Sequence, residues 1–130
     1  MADWETLRAY IKNTYNVADE SDGFMKLIFK FDDLRSQMVF VSRSGEVAGS
    51  EWAEIGTVVG TEEHLSAKDA MRRNTEMKCG ALGMLDDGKI LFFHRFPLKD
   101  LQTDEFEGPF HLVITYGDVL EKELTGRDAF

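Results

Sequence analysis

The sequence predicts an α+β domain: a single antiparallel or mixed five-stranded sheet with three helices, in the order α-β-β-β-α-β-β-α. Three observations carry this. Apolar stripes recur at helical spacing near both ends of the chain. Five short segments between them are strand-like, the clearest alternating apolar and polar residues. An Asp86-Asp87-Gly88 step joins two of those segments as a hairpin turn.

The first helix is expected over residues 3–15. Asp3 is its N-cap, and Trp4, Leu7 and Ile11 share one face. Residues 19–23 are rich in acidic and small residues and read as a loop. In 24–31, Met25, Leu27, Phe29 and Phe31 lie on one side, with Lys26 and Lys30 marking the other. A second strand spans 37–43, closed by Ser44-Gly45, and a third spans 52–59. Their short links suggest an antiparallel meander. A helix over 62–77 follows, with either Thr61 or Ser66 as its cap. Strands over 79–85 and 89–96 flank the Asp-Gly turn, and Pro97 ends the second. The last helix begins with Thr103 as cap. Phe106, Phe110, Val113, Gly117, Leu120 and Leu124 form its apolar stripe, and Gly126 is its stop. Gly108-Pro109 is expected to kink or restart it.

The 130 residues suit one domain over 1–130, 43% hydrophobic and 30% charged, which is enough apolar material for a core. The net charge of −9 repels phosphate backbones and anionic lipid, so neither nucleic acid nor membrane is expected as a partner. Cys79 is the only cysteine, no apolar run reaches membrane-spanning length, and the N-terminus does not read as a signal peptide. These features predict a cytoplasmic protein.

Chemistry-bearing motifs are sparse. Cys79 and His94 fall on neighbouring strands and can lie across from each other as nucleophile and base; the alternative is a small buried thiol and a strand histidine. His64, His94 and His111 are scattered, and none has a partner at zinc-ligand spacing. No glycine-rich phosphate cradle opens a helix. The expectation is no enzyme, no metal and no cofactor. The strands carry apolar residues on both faces. Either helices cover both sides of the sheet, or one face receives a partner.

The stretch from Ala70 to Leu101 contains a helix with an apolar pair and Asn74, a strand with glycine, an acidic-Gly turn, and a strand ending Phe96-Pro97-Leu98. It resembles the YbjN family, which shares its fold with the class I chaperones of type III secretion. The element order, the acidic chain and a closing helix with Asp118 in the matching place extend the likeness. The last helix departs from that pattern in carrying Gly108-Pro109 and Gly117. The resemblance implies a bacterial, non-enzymatic binding protein. It would be a homodimer formed through the second helix and a nearby strand, holding an extended segment of a client. YbjN-like proteins, described as regulatory, imply the same fold without a secretion client. Asn74 would close the second helix. The candidate peptide-binding residues are Leu7, Ile11, Phe24, Ile28, Val39 and Val41. The candidate dimer interface is Leu65, Met71 and Met77.

Overall fold

A computed structural model describes residues 1–126. The elements are α1 (Trp4–Thr14), β1 (Val17–Ser21), β2 (Phe24–Lys30), β3 (Ser36–Val47), β4 (Ser50–Thr61), α2 (Ala67–Asn74), β5 (Ala81–Met84), β6 (Lys89–Pro97) and α3 (Thr103–Thr125). Six strands form one sheet in the order β1-β2-β3-β4-β6-β5, and every pairing is antiparallel.

The sheet therefore has six strands where five were expected. The addition is β1, which takes in residues 19–21 of the segment read as a loop. Its acidic side chains are poor strand formers, but as an edge strand it needs only one partner, and it carries a bulge between Val17 and Asp19. Two other boundaries move. The second expected strand does not close at Ser44-Gly45. It absorbs a register shift between Arg43 and Gly45 and turns at Ala48-Gly49, where both residues have positive φ. The helix expected over 62–77 shrinks to Ala67–Asn74, capped by Ser66, whose hydroxyl accepts from the Asp69 N–H at 3.2 Å.

α1 starts as expected, with Asp3 accepting from the Thr6 N–H at 2.8 Å. The cap of α3 is Gln102, one residue earlier than expected, and Glu105 accepts from its N–H at 2.9 Å. α3 runs unbroken through Pro109 and ends at Gly126 in the left-handed conformation, φ 74°.

All three helices lie on one side of the sheet. Trp4, Leu7 and Ile11 of α1 and Phe106, Phe110 and Val113 of α3 are buried against alternate strand residues: Met25, Leu27, Val39, Val41, Ile55, Phe92 and Phe96. Phe106 stacks on Phe110 at 4.9 Å, and the Phe110 ring meets Phe29 edge-on at 5.6 Å. Each large apolar side chain buried this way contributes about 1.5–3 kcal/mol. α2 covers the β5 end, where Ala70 lies near Leu82 and Ile90.

Few polar groups enter this core. Gln37 donates to Thr57 Oγ1 at 2.6 Å, and Thr57 donates to the Met38 carbonyl at 2.7 Å. Arg35 pairs with Asp118 at 2.9 Å and with the fully buried Glu121 at 3.3 Å, tying the start of β3 to α3.

Candidate functional site

The strand residues that alternate with the core point away from the helices. Ile28 pairs with Met38 and Val58 with Leu91, so one row across the four central strands is wholly apolar. The adjacent row holds Lys26, Phe40, Gly56 and Phe93. Phe24 stacks on Phe40 at 5.8 Å, and the Arg95 guanidinium sits 4.8 Å from the Phe93 ring centre while bonding to Glu54 at 2.7 Å. Among the described residues no helix packs on this face. An antiparallel sheet with one open side ordinarily turns polar residues outward; here Ile28 is 51% exposed and its apolar neighbours on β3 and β4 are half-buried. Of the two arrangements the sequence left open, helices on both faces is not the one adopted.

This geometry divides the expected peptide-binding residues. Phe24 and Ile28 are on the open face. Leu7, Ile11, Val39 and Val41 are fully buried beneath the helices, in the core and not on a surface. The cause is register. Val39 pairs with Leu27 and Val41 with Met25, which puts both valines on the helix side. The residues that do share the face of Phe24 and Ile28 are Met38 and Phe40, with Val58 and Phe93 beyond them. The pairing of β2 with β3 was the signal needed, and a one-residue change of register moves every side chain to the opposite face.

The expected dimer residues also separate. Leu65 is 8% exposed, Met77 packs partly against the core, and Met71 is 71% exposed. Met71 and Met84 line a small cavity of about 100 Å³ between α2 and β5, and Leu85 follows, exposed, at the end of β5.

The two sheet edges differ. On β5, Asn74 at the end of α2 hydrogen-bonds the main chain: Nδ2 donates to the Leu82 carbonyl at 3.1 Å, and Oδ1 accepts from the Leu82 N–H at 2.7 Å. Asn74 thus serves the sheet edge and not the helix end. On the other side β1 pairs with β2 only as far as Leu27, so residues 28–30 of β2 extend beyond it. There Tyr15, Asn16, Ile28, Phe29 and Lys30 line a groove of about 530 Å³.

Cys79 and His94 do meet, with Sγ 3.5 Å from Nδ1. Burial pushes the thiol pKa up and the imidazole pKa down, so both groups are held neutral. A nucleophilic cysteine needs the opposite, a thiolate favoured by a neighbouring cation. The other histidines are elsewhere: His64 accepts from the Thr61 N–H at 3.0 Å, and His111 pairs with Glu107 at 3.1 Å. Among the described residues no group of three or more His, Cys, Asp or Glu gathers to hold a metal, and no helix is long and apolar enough to cross a membrane.

No family model and no curated protein matches the chain in sequence. A chain in the solved structure of the HopA1–SchA chaperone–effector complex is similar in fold, with a TM-score of 0.62 over 88% of this chain and 87% of that one, at 8% identity. At that identity the likeness concerns the fold alone: three helices on one side of an antiparallel sheet.

Proposed function

We propose that the chain is a non-enzymatic, chaperone-like protein-binding module that acts as a homodimer and holds an extended segment of a client protein on the open face of its sheet. The observation that carries this is the apolar row of exposed Ile28 and half-buried Met38 and Val58, ending at the buried Leu91 and bordered by Phe24, Phe40 and Phe93. Exposed apolar surface of this kind is stabilised when a partner removes it from water. The fold shared with a chain of a chaperone–effector complex supports the same reading.

Ile28→Asp tests the surface. The substitution is exposed in the free protein, so the circular dichroism spectrum should be unchanged. Proteins captured reproducibly from native lysate by the wild type should be lost from the variant. Capture that survives the substitution places the client on another face.

The dimer half of the proposal rests on Met71, Met84 and Leu85, which form an exposed apolar area at the α2–β5 edge. An exposed apolar area of this kind can be covered by the same area of a second copy across a two-fold axis. Sedimentation equilibrium at micromolar concentration should give a dimer, and Met71→Asp a monomer. A wild-type monomer refutes it.

The likeness of residues 70–101 to the YbjN family favours a second reading, a regulatory protein with this fold and no secretion client. Genes for a secretion apparatus and its effectors beside this one would favour the chaperone.

A further inference from the structure

We propose that a second site, the cleft between α3 and the chain joining α2 to β5, binds a small anionic amphiphile: an aromatic or aliphatic carboxylate or sulfonate. The cleft has a volume of about 550 Å³, within the span of roughly 300–1,000 Å³ usual for small-ligand sites. The open sheet face and the β2 groove are separate from it, so the site does not depend on the client reading.

The lining has two chemistries. Met77, Leu112 and the ring of Tyr116 provide the apolar part. The Tyr116 ring is fixed edge-on against Phe92 at 5.3 Å, so this wall is anchored in the core. Arg73 and Lys78 provide two cations against the single carboxylate of Glu76. Arg73 is held in place by Glu123 at 2.6 Å. Lys78 makes no ion pair and the Tyr116 hydroxyl no hydrogen bond among the described residues, so two donors remain for a ligand.

Arg73 is already offset by Glu123, so Lys78 is the one cation of the lining without an ion pair among the described residues, in a chain of charge −9. It favours one negative headgroup over a neutral ligand, since a charge-assisted hydrogen bond is stronger than a neutral one. One unpaired cation beside Glu76 is too little for a polyphosphate, and such a ligand would leave the apolar wall uncovered. A flat or extended hydrocarbon with one acidic group satisfies both halves of the cleft.

The other two large clefts differ from it. The one of about 480 Å³ beside Trp4 is lined by Glu5, Glu20 and Asp22 with Arg8, and Glu20 is already bonded to Arg8 and Lys12. The β2 groove also joins apolar side chains to a cation, Lys30, but it runs along a strand edge and shares Ile28 with the open face proposed for the client.

The test uses 8-anilinonaphthalene-1-sulfonate and its uncharged congener N-phenyl-1-naphthylamine with the whole protein. The sulfonate should bind saturably in the micromolar range, and amide shifts in ¹⁵N spectra should centre on residues 77–79, 112 and 116. The uncharged congener, and the sulfonate with the exposed-site variant Lys78→Glu, should each bind about tenfold more weakly. Leu112→Asp should abolish binding, with thermal melting reporting whether it folds. Lack of saturable binding, shifts centred on Phe40 and Phe93, or equal affinity for the two dyes would each overturn the proposal. So would unchanged affinity in Lys78→Glu, which needs no folding control beyond its own spectrum.

Discussion

The ring of Phe40 lies flat on Gly56: a Cβ added at position 56 would stand 2.4 Å from Phe40 Cζ. A glycine in the middle of a central strand weakens it unless something uses the space. Here the space lets a phenyl ring lie down across β4 instead of standing out into water. Gly56→Ala must therefore lift Phe40 or shift the strands. Overpacking of this kind costs typically about 1–3 kcal/mol. Urea unfolding should show a lower midpoint, and an unchanged midpoint would mean that Phe40 leaves the glycine freely.

α3 approaches the sheet through a second glycine. A Cβ at position 117 would be 2.6 Å from Thr57 Cγ2. Gly117→Ala should destabilise by about 1–3 kcal/mol. Thr57→Ser removes that methyl while keeping the hydroxyl that serves Gln37 and Met38. The double variant should recover much of the loss, with a coupling of about 0.5–3 kcal/mol in a double-mutant cycle. Strictly additive losses would show that the clash is relieved some other way.

Asn74 should be read out at Leu82. Asn74→Ala removes both hydrogen bonds to the β5 main chain, and the loss is expected at about 1–3 kcal/mol for two bonds of ordinary net strength. The more specific sign is hydrogen exchange. The Leu82 amide should lose protection while Phe92 and Ile55 keep theirs. Equal loss of protection throughout the sheet would point to global destabilisation, not to an opened edge.

The pH dependence of stability should have a shoulder on each side of neutrality. Burial lowers the His94 pKa from its ordinary 6.5, so below about that pH the unfolded chain takes up a proton that the folded chain resists. Stability therefore falls as pH drops from 6.5 toward the folded value. Burial raises the Cys79 pKa above its ordinary 9.0, so stability falls again as pH rises past that value. Asp3, Glu20 and Asp87 are shifted downward by hydrogen bonds and neighbouring cations and act only at lower pH. Melting temperatures between pH 5 and 7 should lose most of their slope in His94→Gln; a slope that persists would assign it to another group.

What could be read in the sequence was local. Asp3 and Gly126 mark helix ends through contacts within a few residues, and both do so in the structure. The Asp86-Asp87-Gly88 turn set the distance between strands well enough to bring Cys79 opposite His94. What could not be read depended on partners distant in the chain. β1 is a strand because β2 lies beside it, not because Asp19 and Glu20 favour one. Val39 and Val41 belong to the core because of their register with Leu27 and Met25. Pro109 does not break α3, since Phe106 and Phe110 on either side are fully buried and hold the helix to the sheet.

The overhang of β2 past β1 is only three residues long, Ile28 to Lys30. Because main-chain groups of a strand point alternately toward its two neighbours, so short an overhang offers very few outward-facing ones. A strand docking there would find little to grip that is common to all polypeptides. Most of its affinity would have to come from how its side chains suit Ile28, Phe29 and Tyr15. An edge of this length would therefore select a strand by its side chains, whereas a long one would pair with any strand.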